Sequence, residues 1–141
     1  MKWDWLAFWR RFRRGPQPER ARRLFPFQRE HLELLFFQSA SASGKPRGLR
    51  WKDIEWGSSV EYARERSSGQ LAALVGITIR FEAIEGGDME GLPAVANLRN
   101  ASAVFFFHDG RWHTVGKAVF NLNPDEALTH FQNQYERLSS G

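Results

Sequence analysis

An α+β fold is predicted by three features of the sequence: a central helix, an antiparallel sheet of four or five strands joined by hairpins, then a C-terminal helix packed on the sheet. Residues 27–43, FQREHLELLFFQSASAS, make an apolar-rich helical stretch closed by Gly44 and Pro46, the order that helix ends prefer. After Gly48 the hydrophobic period changes to alternation, and turn residues punctuate the chain at strand-like intervals. Near the end, Asn123, Pro124 and Glu126 supply an N-cap, a first-turn proline and the reciprocal acid of a capping box.

Within the first helix, Leu32, Leu34, Leu35, Phe36 and Phe37 leave little polar perimeter. A helix apolar nearly all round has to be covered on more than one side, which places it deep in the fold against the sheet. Residues 17–23, polar and charged, read as a linker or a short exposed helix. Residues 49–56 form a strand, and residues 60–66 and 71–84 flank Ser67-Ser68-Gly69, a hairpin loop with a glycine free to take positive φ. In the second of these, Val75, Ile77, Ile79, Phe81 and Ala83 alternate with Gly76, Thr78, Arg80 and Glu82, so one face is core and the other polar. Residues 85–93 form a loop, and strand character returns from about Val95 through Phe107. Asp109-Gly110 is the dipeptide that type I′ hairpin turns prefer, and a two-residue loop there pairs His108 with Arg111 and Phe107 with Trp112. In the last helix, Ala127, Leu128, Phe131, Tyr135 and Leu138 recur on one side and predict a stripe docked on the sheet.

Strands joined by such short loops are antiparallel, because a parallel neighbour needs a crossover of about a dozen residues. The element order matches the layout of cystatin or nuclear-transport-factor folds, by analogy of layout alone, and a fold does not set a function.

With 141 residues and 42% apolar content, the chain suits one core. The domain organisation read from it is a basic, aromatic arm and linker over residues 1–24 and a single α+β domain over residues 25–141. Cysteine is absent, which excludes disulfides, thiolate nucleophiles and thiolate metal sites built by this chain and favours a cytoplasmic setting. Apolar runs such as residues 5–9 and 34–37 fall far short of the roughly 18–20 residues that span a bilayer. The arginines of residues 10–14 lead into Gly15-Pro16 with no apolar segment behind them, unlike a secretory or twin-arginine signal. A mitochondrial presequence shares the arginine-rich, amphipathic character of residues 1–14, but their crowded Trp and Phe side chains are foreign to it.

Charge is unevenly spread. Residues 1–50 carry twelve Lys or Arg against four acids, a net of +8, whereas residues 51–141 carry eight against twelve, a net of −4. Sixteen of the twenty cations are arginine, which suits phosphate contact but also follows from base composition of the coding sequence.

On a helical period, Trp5, Phe8, Trp9 and Phe12 fall at i, i+3, i+4 and i+7, with Arg10, Arg11, Arg13 and Arg14 off that stripe. These eight residues are the candidate site. The pattern suits a helix lying in the interface of an anionic membrane, peripherally on the inner face, with indoles at headgroup depth and guanidiniums on phosphates. It equally suits packing on a protein partner, on a second copy through self-association, or on the chain's own domain. Nucleic acid fits less well: Phe105, Phe106 and Phe107 alternate between faces and make no stacking platform, which leaves only the arm.

Catalytic and ligand-binding readings find thin support, and neither a cofactor nor a metal is expected. His108 and His113 are diagonal neighbours on one hairpin face with no third ligand in metal-binding spacing. Asp53 with Glu55, and Glu61 with Glu82, are the carboxylate pairs that strands could bring together, and solvated pairs of this kind are common. Residues 44–48, GKPRG, resemble a phosphate loop only in composition, because they follow a helix where a phosphate loop precedes one. A small-molecule pocket between sheet and helices would use convergent polar groups such as Arg80, Glu82 or Tyr62. The resulting expectation is a non-enzymatic binding or scaffold module attached by its N-terminal helix.

Overall fold

The computed structural model describes residues 17–139. They form an α+β fold in the order α1 (Gln17–Ala42), β1 (Leu49–Glu65), β2 (Leu71–Ala83), a 3-10 turn (Pro93–Ala96), β3 (Arg99–His108), β4 (Arg111–His113), β5 (Ala118–Phe120), α2 (Pro124–His130) and β6 (Tyr135–Arg137). The strands make one antiparallel sheet in the order β4-β3-β2-β1-β6, with β5 beside β4 along the same edge of β3.

α1 begins at Gln17, so residues 17–24 are its first turns. It buries Ala21, Phe25, Leu32, Phe36 and Ala40, a set that falls on one face at helical spacing. The opposite face is open: Phe27 and Leu34 are 86% and 55% exposed. The expectation of cover on more than one side is corrected accordingly, because Leu34 and Phe36 stand about 200° apart around the helix and the sheet reaches only the side of Phe36.

That side meets Trp51, Ile77, Ile79, Phe81, Phe105, Phe107 and Trp112. The seating is specific. Trp112 donates its indole N–H to the Ala21 carbonyl at 2.8 Å, and its backbone N–H donates to Gln28 Oε1 at 2.9 Å. Phe25 lies edge-on to Trp112 with centroids 5.2 Å apart, a favourable aromatic geometry. On the other side of the sheet, α2 closes a smaller cluster of Ala127 and Leu128 over Leu74, Val104 and Tyr135. The first five residues of β2 are therefore buried on both faces.

Two predicted strands are one. Residues 57–59, which look like a break, form a bulge within β1: Trp56 pairs with Ile77 and Val60 with Val75, leaving three residues opposite Gly76. A Cβ on Gly57 would stand 2.9 Å from the Gly76 carbonyl oxygen, so the bulge needs glycine for close backbone approach. A second irregularity lies at Lys52, between the pairs Trp51–Phe81 and Asp53–Arg80.

The last helix is shorter than its apolar spacing predicts. Its capping box forms, with Asn123 Oδ1 accepting from the Glu126 N–H at 2.8 Å and Glu126 Oε1 from the Asn123 N–H at 2.9 Å. It ends at His130. Residues 135–137 then pair with Ala63–Glu65 as β6. Tyr135 belongs to the α2-side cluster and Leu138 packs on the α1 side, a split across the sheet that one helical stripe cannot achieve. The strand from about Val95 also starts later, at Arg99, after the 3-10 turn.

The hairpin at Asp109-Gly110 has the predicted register, His108 opposite Arg111 and Phe107 opposite Trp112. Both turn residues have positive φ, 52° and 75°, as a type I′ turn requires.

Candidate interaction surface

Tyr62 faces α1, and the Arg22 guanidinium sits 5.4 Å from its ring centroid. Arg80 and Glu82 alternate to the opposite face, where Arg80 pairs with Asp53 at 3.7 Å and Glu82 with Arg50 at 3.3 Å. The three polar groups considered for a pocket between sheet and helix therefore do not converge. The volume between α1 and the sheet is filled by Phe25, Leu32, Phe36 and Phe105, each at most 2% exposed.

Burial pushes the Tyr62 phenol above its usual value, and the Arg22 and Arg29 charges oppose that shift. A phenol raised on folding favours the native state fully only below the unfolded value of about 10, and that contribution is lost as pH climbs through the folded value. Stability measured by urea unfolding is expected to fall above about pH 10 more steeply in the native chain than in Tyr62→Phe. Equal slopes would show that this phenol is not linked to folding.

The sequence-predicted acids are spoken for, with one exception. Asp53 and Glu82 are paired as above, and Glu61 pairs with Arg137 at 3.8 Å. Glu55 has no ion pair among the described residues. His108 and His113 share a face with ring centroids 6.0 Å apart, His108 lies 3.3 Å from Asp109 Oδ2, and His113 stacks on Phe106. No group of three His, Asp or Glu among the described residues is placed to hold a metal ion. In the loop after α1, the Lys45 carbonyl accepts from the Trp51 indole N–H at 2.8 Å, which ties that loop to the core.

One concavity was not legible in the sequence. A shallow groove of about 370 Å³ lies on the α2 side of the sheet, lined by Glu55, Thr78, Asn100, Asn121 and Glu126 over Gly57 and Gly76. A Cβ at Gly76 would lie in ordinary contact with Pro124 Cδ at 3.4 Å, which places the start of α2 beside the groove. The polar groups there are partly engaged: Thr78 Oγ1 is 3.4 Å from Asn100 Oδ1, and Glu126 caps α2.

Exposed large apolar side chains among the described residues lie at Ile84, Leu92, Leu98 and Val115 and on the outer side of α1, where Phe27 is the most exposed of all. Phe27 and Leu34 lie two turns apart on it, and Arg20 and Arg23 are exposed on its N-terminal turns. This is the helix into which the arm leads. The arm's own candidate residues, Trp5, Phe8, Trp9, Arg10, Arg11, Phe12, Arg13 and Arg14, lie outside the described residues. Among the described residues no helix is long and apolar enough to cross a membrane. No family model matches the chain, and neither the curated proteins nor the solved structures contain a significant match.

Proposed function

We propose that this protein is a non-catalytic binding module that attaches to an anionic membrane surface through its N-terminal arm and the outer side of α1. The observation that carries the reading is Phe27, 86% exposed on a helix whose core-facing side is already complete, beside the exposed Arg20 and Arg23. The arm's Trp5, Phe8, Trp9 and Phe12, with Arg10, Arg11, Arg13 and Arg14, would extend the same chemistry: rings for the apolar layer and guanidiniums for phosphate. The filled space between α1 and the sheet supports a surface function over a pocket function.

Co-sedimentation with vesicles of mixed phosphatidylcholine and phosphatidylserine tests it. The intact chain is expected to bind, and to bind less as salt rises. Phe27→Glu is expected to weaken binding about tenfold or more, since burying a phenylalanine contributes about 1.5–3 kcal/mol. Removing residues 1–16 is expected to abolish it. Intact protein that stays in the supernatant, or truncated protein that pellets equally well, would end this reading in favour of a protein partner or of packing on the chain's own domain.

A further inference from the structure

The outer edge of β1 is open along most of its length. β6 covers only Ala63–Glu65, and the Leu138 N–H reaches the Tyr62 carbonyl. Arg29 donates to the Gly57 carbonyl at the bulge. From Leu49 to Trp56 the backbone ladder runs to β2 alone; the Leu49 N–H turns back to the Pro46 carbonyl at 3.2 Å, and from Arg50 onward the edge presents outward amide and carbonyl groups of the kind that recruits another strand.

The side chains along this stretch are self-complementary. The irregularity at Lys52 resets the alternation, so that Leu49, Trp51, Ile54 and Trp56 pair with α1-face residues of β2, while Arg50, Asp53 and Glu55 pair with residues of the opposite face. An antiparallel copy centred on Asp53 then places Leu49 opposite Trp56, Trp51 opposite Ile54 and Arg50 opposite Glu55. These three pairs join like faces, apolar with apolar and cation with anion. On the dyad the two Asp53 carboxylates meet with the two Lys52 ammoniums beside them. Lys52 and Glu55 have no ion pair among the described residues, so the copy supplies what the single chain leaves unused. Without the extra residue, a strand that placed Trp51 opposite Ile54 would set them on opposite faces, because alternation has a period of two.

We propose that two copies of this chain pair through the β1 edges, antiparallel about Asp53, into one continuous twelve-stranded sheet. The dyad is perpendicular to the sheet, so both α1 helices lie on the same side. The proposal stands independently of the membrane reading, although two α1 helices on one side would strengthen any surface attachment.

Sedimentation of the full chain tests it. The intact protein is expected to be a dimer. Glu55→Arg sets cations opposite each other at two symmetry-related positions and is expected to raise the dimer dissociation constant at least about tenfold. The charge swap R50E/E55R/E82R, which reverses the Arg50–Glu82 pair along with the pair across the dyad, is expected to recover most of that loss. Because the chain has no cysteine, a second measurement is available. Antiparallel partners have Cα atoms about 4.5–5.5 Å apart, within disulfide reach, so Asp53→Cys is expected to oxidise readily to a covalent dimer while Ser68→Cys, in the β1–β2 loop, does not. A monomer at all concentrations, a dimer indifferent to E55R, an E55R defect that the swap leaves unrelieved, or equal crosslinking at positions 53 and 68 would each overturn the proposal.

Discussion

Phe36→Ala is expected to remove about 3–5 kcal/mol of unfolding free energy, the usual range for truncating a buried phenylalanine. Phe36 is 0% exposed. Its ring centroid lies 5.5 Å from that of Trp56, 5.8 Å from that of Phe105 and 6.1 Å from that of Trp51. It therefore joins α1 to β1 and β3 at once. Neighbouring rings this bulky cannot collapse fully into the vacated volume, so a cavity penalty adds to the lost transfer energy. Phe27→Ala on the same helix is expected to change stability by no more than about 0.5 kcal/mol, as surface substitutions do. Guanidinium unfolding of the two variants checks both values. Comparable losses from the two would mean that α1 is not seated on the sheet by this face.

Gly116→Ala is expected to cost about 2–4 kcal/mol, from two separable causes. Gly116 has φ +77°, and a Cβ there would lie 2.5 Å from the Ala40 amide nitrogen and 2.8 Å from the Ser39 carbonyl carbon. Backbone cannot yield as a side-chain tip can, so the loop between β4 and β5 would have to lift from the end of α1. Gly110→Ala isolates the other cause: its φ is +75° with nothing within 4 Å of the added carbon, so only the left-handed backbone penalty of about 1–2 kcal/mol applies. The difference between the variants in denaturant midpoint measures the contact of that loop with α1. Equal losses would show that the close approach at Ala40 is not maintained in solution.

The parts legible in the sequence are those that local chemistry dictates. Asp109-Gly110 set a register that the structure reproduces pair by pair, because positive φ at two successive positions admits few residue types. Asn123 and Glu126 marked a helix start because their side chains satisfy backbone donors three residues away. The alternation of β2 from Val75 to Phe81 named its core face correctly.

The misread elements share one feature: their state depends on a distant partner. Tyr135 and Leu138 match a helical stripe as well as they match a strand, and the free end of β1 decides for the strand by offering Ala63–Glu65 as a ladder. Gly57-Ser58-Ser59 has the composition of a turn, yet β2 continues opposite it and makes it a bulge. The polar groove beside α2 leaves no local pattern in the sequence because its residues come from four separate segments.

For the interaction surface, residue order alone specifies the side chains on offer: an arginine-rich aromatic arm, an apolar-rich helix and a charged strand. Which of those apolar groups stay outside was decided only by tertiary structure. Leu32, Leu34 and Phe36 belong to the same apolar-rich helical stretch; the sheet covers one side of α1, so Leu32 and Phe36 are buried and Leu34, with Phe27, is left facing water. The physical reason is that helix periodicity specifies relative direction around an axis, whereas burial depends on how many neighbours the rest of the chain can bring to that axis.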